Sequence, residues 1–340
     1  MPESGFTAVE SRPRSPTFFP LVSFDSALMP NAAICAILPC MNRRDFIRSS
    51  IAAGVAISLS DPLRGILEAA EPKTPDLAVV RGSSPERITR SALDALGGIS
   101  RFVSRGDIVV VKPNIGWDRR PEFAATTNPE VVAALVRLSL EAGAKKVKVF
   151  DRPVFDARRC YKQSGIADAA GRAGAEVSYM DDRRFKDVRL DGRALKSWPI
   201  YRDILEADKV INVPIAKHHG LASLTMALKN WMGIMGGRRG SIHHDLDNSL
   251  VDVAAAVKPA LTVLDAVRIL AANGPQGGDL QDVRQMDTVV AGTDQVAVDS
   301  FGATLFGMKG SDLGYIRAAH QAGIGRMDIS RLRIKKIRLG

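Results

Sequence analysis

The sequence predicts an α/β fold: a layered, mixed and mostly parallel sheet flanked by helices, with a division into two α/β lobes as a variant. Two observations predict it. From Asp76 onward, short apolar runs alternate with helical stretches. Ala, Val, Ile and Gly are plentiful while aromatic residues make up 6% of the chain, a composition that suits layered packing better than a β-sandwich. At 340 residues the chain is long enough for a large core and one or two domains.

The elements follow in order. "DIVVVKPN" (107–114) is a buried strand entering a loop at Pro113. "NPEVVAALVRLSLEAG" is a helix, capped by Asn128, with Pro129 in its first turn and Gly143 at its end. "KKVKVFD" is the next strand and ends at Asp151; "SGIADAAGRAG" is a helix and "AEVSYMDD" a strand. "DVRLDGRALKSWPI" breaks the rhythm, and Asp191–Gly192 between alternating runs predicts a hairpin. "ADKVINVPIAKHH" reads as one strand. The segment between His219 and His243 reads as one helix that ends in glycines and arginines. "LVDVAAAVKPA" is a helix that Asp247 could cap, "LTVLDA" a strand and "ANGPQGGD" a glycine-rich loop. "MDTVVAGTDQVAVDSFGATLFGM" is a strand and then a helix. A helix around Ile316 to Ala322 and a basic strand, "RLRIKKIRL", close the chain. The only weak internal boundary lies near 192–199.

The first seventy residues differ in character. "MNRRDFIRSSIAAGVAISLS" begins at Met41 with Arg43–Arg44, then Phe46, then an apolar run from Ile51 to Leu59. The order resembles a twin-arginine export signal over 41–70. Its apolar run is too short for a permanent membrane span. The signal implies periplasmic or otherwise exported protein and the twin-arginine translocation machinery as a partner. Residues 1–40, rich in Pro and Ser, read as a disordered extension or as a start assigned upstream of Met41.

Charge and cysteine content narrow the function. The net charge is +10, and residues 1–70 contain 6 basic and 6 acidic side chains, so the excess lies downstream. An anionic small molecule suits that balance. Nucleic acid does not, because the basic residues are scattered and not interleaved with aromatics. Of Cys35, Cys40 and Cys160 only the last falls in the mature domain, and no C-x-x-C occurs. No iron–sulfur cluster is therefore expected. The arginines before Cys160 could lower its pKa, but the residue is left outside the site.

Four of the five histidines form two adjacent pairs, His218–His219 and His243–His244. As acid–base groups they titrate near neutrality. As ligands for a divalent metal, one from each pair could act with an aspartate; His219, His244 and Asp265 form the candidate set. Polar residues follow the strands at Lys112, Asn114, Asp151, Lys217 and Asp265, where α/β sheets gather their ligands. Thr225 and Lys229, four apart on the expected helix, would share a face, with Asn230 one step round. "MGGRRG" could bind an anion through backbone amides and Arg238 or Arg239. P-loop, dinucleotide and G-x-S-x-G patterns are all absent.

"VVVKPN", "VPIAKHH…T…ALKNWMG", a His near 243–244, "LTVLDA", "NGP..GG" and "DQVAVD" together resemble the domain of unknown function 362 family, over about Lys112 to Gly307. The family's usual Asp-Gly is here Asp265–Ala266. The resemblance implies one such domain over 76–340 and a site that includes Lys112, Asn114, Lys217, His218 or His219, Thr225, Lys229, Asn230, His243 or His244, Asp265 and Asp299. It brings no general activity. The expectation is thus an exported enzyme or cofactor-dependent protein that acts on a small anionic ligand. His218, His219, Lys229, His243 and His244 are its candidate catalytic residues. The alternative is a non-catalytic periplasmic binder of a metal or anion.

Overall fold

A computed structural model describes residues 74–340. The expected 1–40 extension and 41–70 export signal lie outside the described residues. Strand β1 (Leu77–Arg81) is followed by α1 (Pro85–Ala95), β2 (Ile108–Pro113), α2 (Pro129–Glu141) and β3 (Lys146–Val149). Helices α3 (Ala157–Gln163) and α4 (Ile166–Arg172) lead to the short β4 (Glu176–Val177). Asn128 caps α2 by accepting a hydrogen bond from the Glu130 amide, and Pro129 occupies the first turn, where its missing N–H costs nothing. The stretch around Cys160, with no clear apolar period, is helical as α3.

The remaining elements are β5 (Phe185–Arg189), β6 (Ser197–Tyr201), α5 (Arg202–Leu205), β7 (Lys209–Val213), β8 (Ile215–His219), β9 (Ser223–Thr225), α6 (Ala227–Asn230), α7 (Leu246–Ala256), β10 (Leu261–Leu270), β11 (Val283–Gly292), α8 (Gln295–Thr304), α9 (Gly314–Gln321) and β12 (Ile334–Arg338). Ten strands share one sheet instead of dividing between two lobes. The order is β12-β1-β11-β10-β7-β2-β3-β4, with β8 on β10 and β9 on β8. The pairings from β10 through β7, β2 and β3 to β4 are parallel; β11 runs antiparallel to both β1 and β10. Alternate residues of each strand face opposite layers. Val109, Val111, Val147, Ile211 and Val263 pack under α1, α2 and α4. Val110, Val210, Leu264 and Val290 pack under α6 to α9.

This topology places the site. From β2 the chain steps outward through β3 to β4, then returns to set β7 on the other side of β2. A parallel sheet opens a crevice at the carboxyl ends of two such strands, because their following loops leave in opposite directions.

Three expectations are corrected here, and the expected hairpin is found. "ADKVINVPIAKHH" is two strands, broken at Pro214, which has no N–H to give a ladder. The segment after His219 is not one helix: Gly220–Ala222 turns the chain into β9, antiparallel to β8, and only four residues of α6 follow before a 3-10 turn at Trp231–Ile234. The pairing of β9 with β8 outweighs its helical spacing. Asp247 is not the cap of α7; Asp245 occupies that position and makes no side-chain capping bond. The β5–β6 hairpin has a longer connection than an Asp-Gly turn, held by the Asp252 carboxylate, which accepts from the amides of Arg193, Ala194 and Leu195. The 192–199 boundary falls within this hairpin. Trp198 and Pro199 of β6 bind the backbone of Gly236 and so fix the loop that carries Arg239.

Candidate functional site

At the β2/β7 crevice lies a cleft of about 950 Å³. Its floor begins with a buried ion pair. Lys112, at the end of β2, donates from Nζ to Asp151 Oδ1 at 2.7 Å, to the Pro113 carbonyl at 2.7 Å and to Asn230 Oδ1 at 3.2 Å. The other Asp151 oxygen accepts from the Ile115 amide at 2.6 Å. A buried pair recovers its desolvation cost only when such bonds are complete. Burial still pulls the Lys112 pKa down, against the raising effect of Asp151. Gly233 lies directly over the pair: a Cβ there would come within 1.8 Å of Asp151 Oδ1.

The β8–β9 hairpin supplies the next groups. Lys217 pairs across the ladder with Thr225, which puts both side chains on one face. Lys217 Nζ donates to Asn114 Oδ1 at 3.1 Å and to the Ala125 carbonyl at 2.5 Å, with no carboxylate partner among the described residues. Burial, against the raising effect of Asp151, brings its pKa down to about 7. Lys229, on α6, has the Met232 sulfur, at 3.1 Å, as its one hydrogen-bond partner among the described residues; burial and then Arg239 lower it to about 8. The Thr225 hydroxyl is buried without a hydrogen-bond partner. Asn230 joins the floor together: its Oδ1 accepts from Lys112 and Asn114, and its Nδ2 donates to Asn212 Oδ1 and the Lys112 carbonyl.

One histidine of each pair turns inward. The His219 and His243 rings stack at 6.2 Å between centroids, inclined by 21°. His219 Nδ1 accepts from the Leu221 and Ala222 amides, at 3.1 and 3.2 Å, so the proton of the neutral ring sits on Nε2. Burial, then Lys229 and Lys217, push its pKa down to about 3 and keep it neutral. His243 has the opposite tautomer. Its Nδ1 lies 2.9 Å from the Gly240 carbonyl, which can only accept, so a neutral ring carries its lone pair on Nε2. That Nε2 is buried and without a partner. One imidazole is thus poised to donate and its neighbour to accept.

Other expected residues sit elsewhere. His218 does not line the cleft; its Nδ1 accepts from the Gly274 amide at 3.1 Å. His244 and Arg238 are exposed at the mouth. Arg239, not Arg238, turns inward and donates to the carbonyls of Arg152, Pro153 and Met232, which ties the 239–245 turn to the exit of β3. Asp265 is away from the cleft: it accepts from the Asn128 and Val267 amides, and burial raises its pKa to about 6. The set His219, His244 and Asp265 is therefore not assembled. Among the described residues no group of three or more His, Cys, Asp or Glu side chains could hold a metal ion. Asp299 lies beneath the site: its oxygens accept from the Ala227 and Leu228 amides, satisfying the first donors of α6. Cys160 is buried, and burial with the Asp118 charge pushes its thiol up to about 11, the reverse of the expected lowering.

Asp151, named from the sequence only as a strand-end carboxylate, and Arg239, named as the alternative to Arg238, line the cleft together with Arg152, Trp117 and Met232, which were not chosen. Asp151 carried a signal, its place after a strand; Arg152, Trp117 and Met232 carried none. Among the described residues the lining cations are Lys217, Lys229, Arg152, Arg238 and Arg239, against one carboxylate, Asp151, already engaged with Lys112.

The chain belongs to the family described as Domain of unknown function (DUF362), whose model matches residues 109–304. It is 31% identical over 222 residues to the Thylakoid-associated protein sll1697 of Synechocystis sp., a match covering 62% of this chain and 66% of that protein. The chain thus spans just under two thirds of that relative's length. It also superposes, with a TM-score of 0.43 and 12% identity, on the lactate racemase apoprotein from Thermoanaerobacterium thermosaccharolyticum, over 66% of this chain and 56% of that one. Among the described residues no helix is long and apolar enough to cross a membrane.

Proposed function

We propose that the cleft binds a small molecule bearing a carboxylate or phosphate, and that His219 and His243 move a proton on it. One observation carries this reading: Lys217 and Lys229 are buried in the cleft with no carboxylate partner among the described residues. Unpaired buried ammonium groups are costly, and an entering anion supplies the missing charge. The Thr225 hydroxyl, and the Asn114 Nδ2 hydrogen that is not given to Asn230, add donors suited to oxyanions.

In the chemistry proposed, the ammoniums hold the anionic group and stabilise negative charge that develops beside it. His243 Nε2 accepts a proton, and His219 Nε2–H returns one. An isomerisation, racemisation or hydrolysis of an anionic substrate fits this division of labour. A bare divalent cation is less favoured, because Lys217, Lys229 and Arg239 would repel it. Export by the twin-arginine route, with a periplasmic location, rests on the Arg43–Arg44, Phe46 and apolar sequence order alone.

The test is a screen of small carboxylates in deuterated buffer, read by NMR for exchange of the proton next to the carboxylate. Exchange should occur with at least one substrate and vanish in His243→Ala while binding persists. Binding of anions without exchange, unchanged by the His243→Ala and His219→Ala variants, would leave a binding protein and remove the catalytic role.

A further inference from the structure

We infer that the ligand has two parts, an anionic head and an apolar body, and that the body lies against Trp117, Val154 and Leu221. This rests on the anion reading above and extends it to a substrate class. Three observations lead there.

The first is a gradient of burial. The deepest side chains that line the cleft are polar: Lys217 is 1% exposed, Thr225 4%, Lys229 5% and Asn230 1%. Its mouth carries Val154, 57% exposed, and Leu221, 76% exposed, beside the exposed Arg238 and His244. A molecule entering head first meets ammonium groups at the bottom and hydrocarbon at the mouth.

The second is placement. Six large hydrophobic side chains are exposed among the described residues: Val154, Phe155, Tyr179, Leu205, Leu221 and Leu280. Two of them line this cleft. A third, Phe155, packs edge-on against Trp117, which also lines it, with ring centroids 5.2 Å apart. Single exposed apolar residues need no explanation, but their concentration around one opening does.

The third is size. At about 950 Å³ the cleft is at the upper end of the range that encloses drug-sized ligands. A lone sulfate, phosphate or acetate would occupy its floor and leave the mouth to water. Filling the mouth with hydrocarbon removes apolar surface from water on both partners, worth up to about fourfold in affinity for each fully buried methylene.

The experiment uses the full chain and one homologous series, methyl, butyl and hexyl sulfate. All three carry the same head and charge, so any trend reports the body. Dissociation constants are measured by calorimetry for the wild type and for a Val154→Ser/Leu221→Ser double variant. Both positions are exposed, and an unchanged melting temperature verifies the fold. In the wild type the dissociation constant should fall about two- to fourfold per methylene. In the double variant the series should flatten while methyl sulfate stays within about twofold of wild type. Equal affinity for methyl and hexyl sulfate in the wild type, or an undiminished trend in the double variant, overturns the inference and leaves the anion site standing. Failure of every member to bind, together with failure of inorganic sulfate, removes the anion reading itself and this inference with it.

Discussion

Raising the pH from 6 to 9 should release an anion from the cleft, although lysines of ordinary pKa would hold it throughout that range. Lys217 is lowered to about 7 and Lys229 to about 8, both chiefly by burial. At pH 6 roughly 90% of Lys217 and 99% of Lys229 carry the proton; at pH 9 roughly 1% and 9% do. If the anion binds only the fully protonated site, affinity falls roughly 90-fold through Lys217 and 11-fold through Lys229, about 1,000-fold together. If Lys229 alone matters, the fall is about tenfold. Sulfate is the right probe because it stays a dianion across the range, so the protein alone titrates. His219, neutral throughout, adds nothing to the change. Titration calorimetry at pH 6, 7, 8 and 9 and fixed ionic strength gives the affinities. Two buffers of different ionisation enthalpy give the protons taken up on binding, which should approach two near pH 9 if both lysines are required. Lys217→Met should bind sulfate more weakly at pH 6 and lose the larger part of the slope. A sulfate affinity constant to within twofold from pH 6 to 9, with no proton uptake, would show that these lysines are not the anion's counter-charges.

The same lysines affect stability. Their folded pKa values lie below the ordinary 10.5, so between about pH 7 and 10 the unfolded chain binds protons that the folded chain does not, and stability rises with pH. Each contributes up to about 1.4 kcal/mol per pH unit; urea titrations at pH 7, 8 and 9 should show a shallower rise in Lys217→Met, and identical slopes would contradict this. Asp151→Asn strands Lys112 in the interior and should cost about 3–5 kcal/mol, whereas Asp151→Leu/Lys112→Met together should cost less; a single variant within about 1 kcal/mol of wild type refutes the pair's role. Gly233→Ala drives a methyl against Asp151 and Lys112 and should weaken sulfate binding at least tenfold in calorimetry; unaltered binding would place the backbone differently. Nitrogen-15 NMR should find the His219 ring still neutral at pH 5, with Nε2 protonated, and titration near 6.5 would count against its burial and its lysine neighbours.

Much of the fold was legible in the sequence because it rests on local, periodic signals. The α2 boundaries follow from Asn128 and Pro129, and the parallel strands from uninterrupted valine runs such as Val109 to Val111. The errors fall where a tertiary partner decides. Thr225 and Lys229 reach the same cleft, but by ladder pairing of β9 with β8 and by the hold of Asp299 on α6, not by helical spacing. The clustering of histidines pointed to the region, yet only the amides of Leu221 and Ala222 and the Gly240 carbonyl determine which rings face inward and which nitrogen carries the proton. Asp265 carries the same sequence signal as Asp151, a carboxylate that follows a short apolar run. One is turned to backbone amides and the other to the cleft, and no sequence rule separates them.

The placement of Trp117 has a practical consequence. Of the chain's three tryptophans, Trp231 is fully buried and Trp198 binds the Gly236 carbonyl on the hairpin, so Trp117 alone borders the cavity. Its indole, partly open to solvent and leaning on Phe155, should change emission when water leaves the entrance. The protein therefore carries an intrinsic optical reporter of occupancy, and unlabelled compound collections can be screened by fluorescence before any reaction is known.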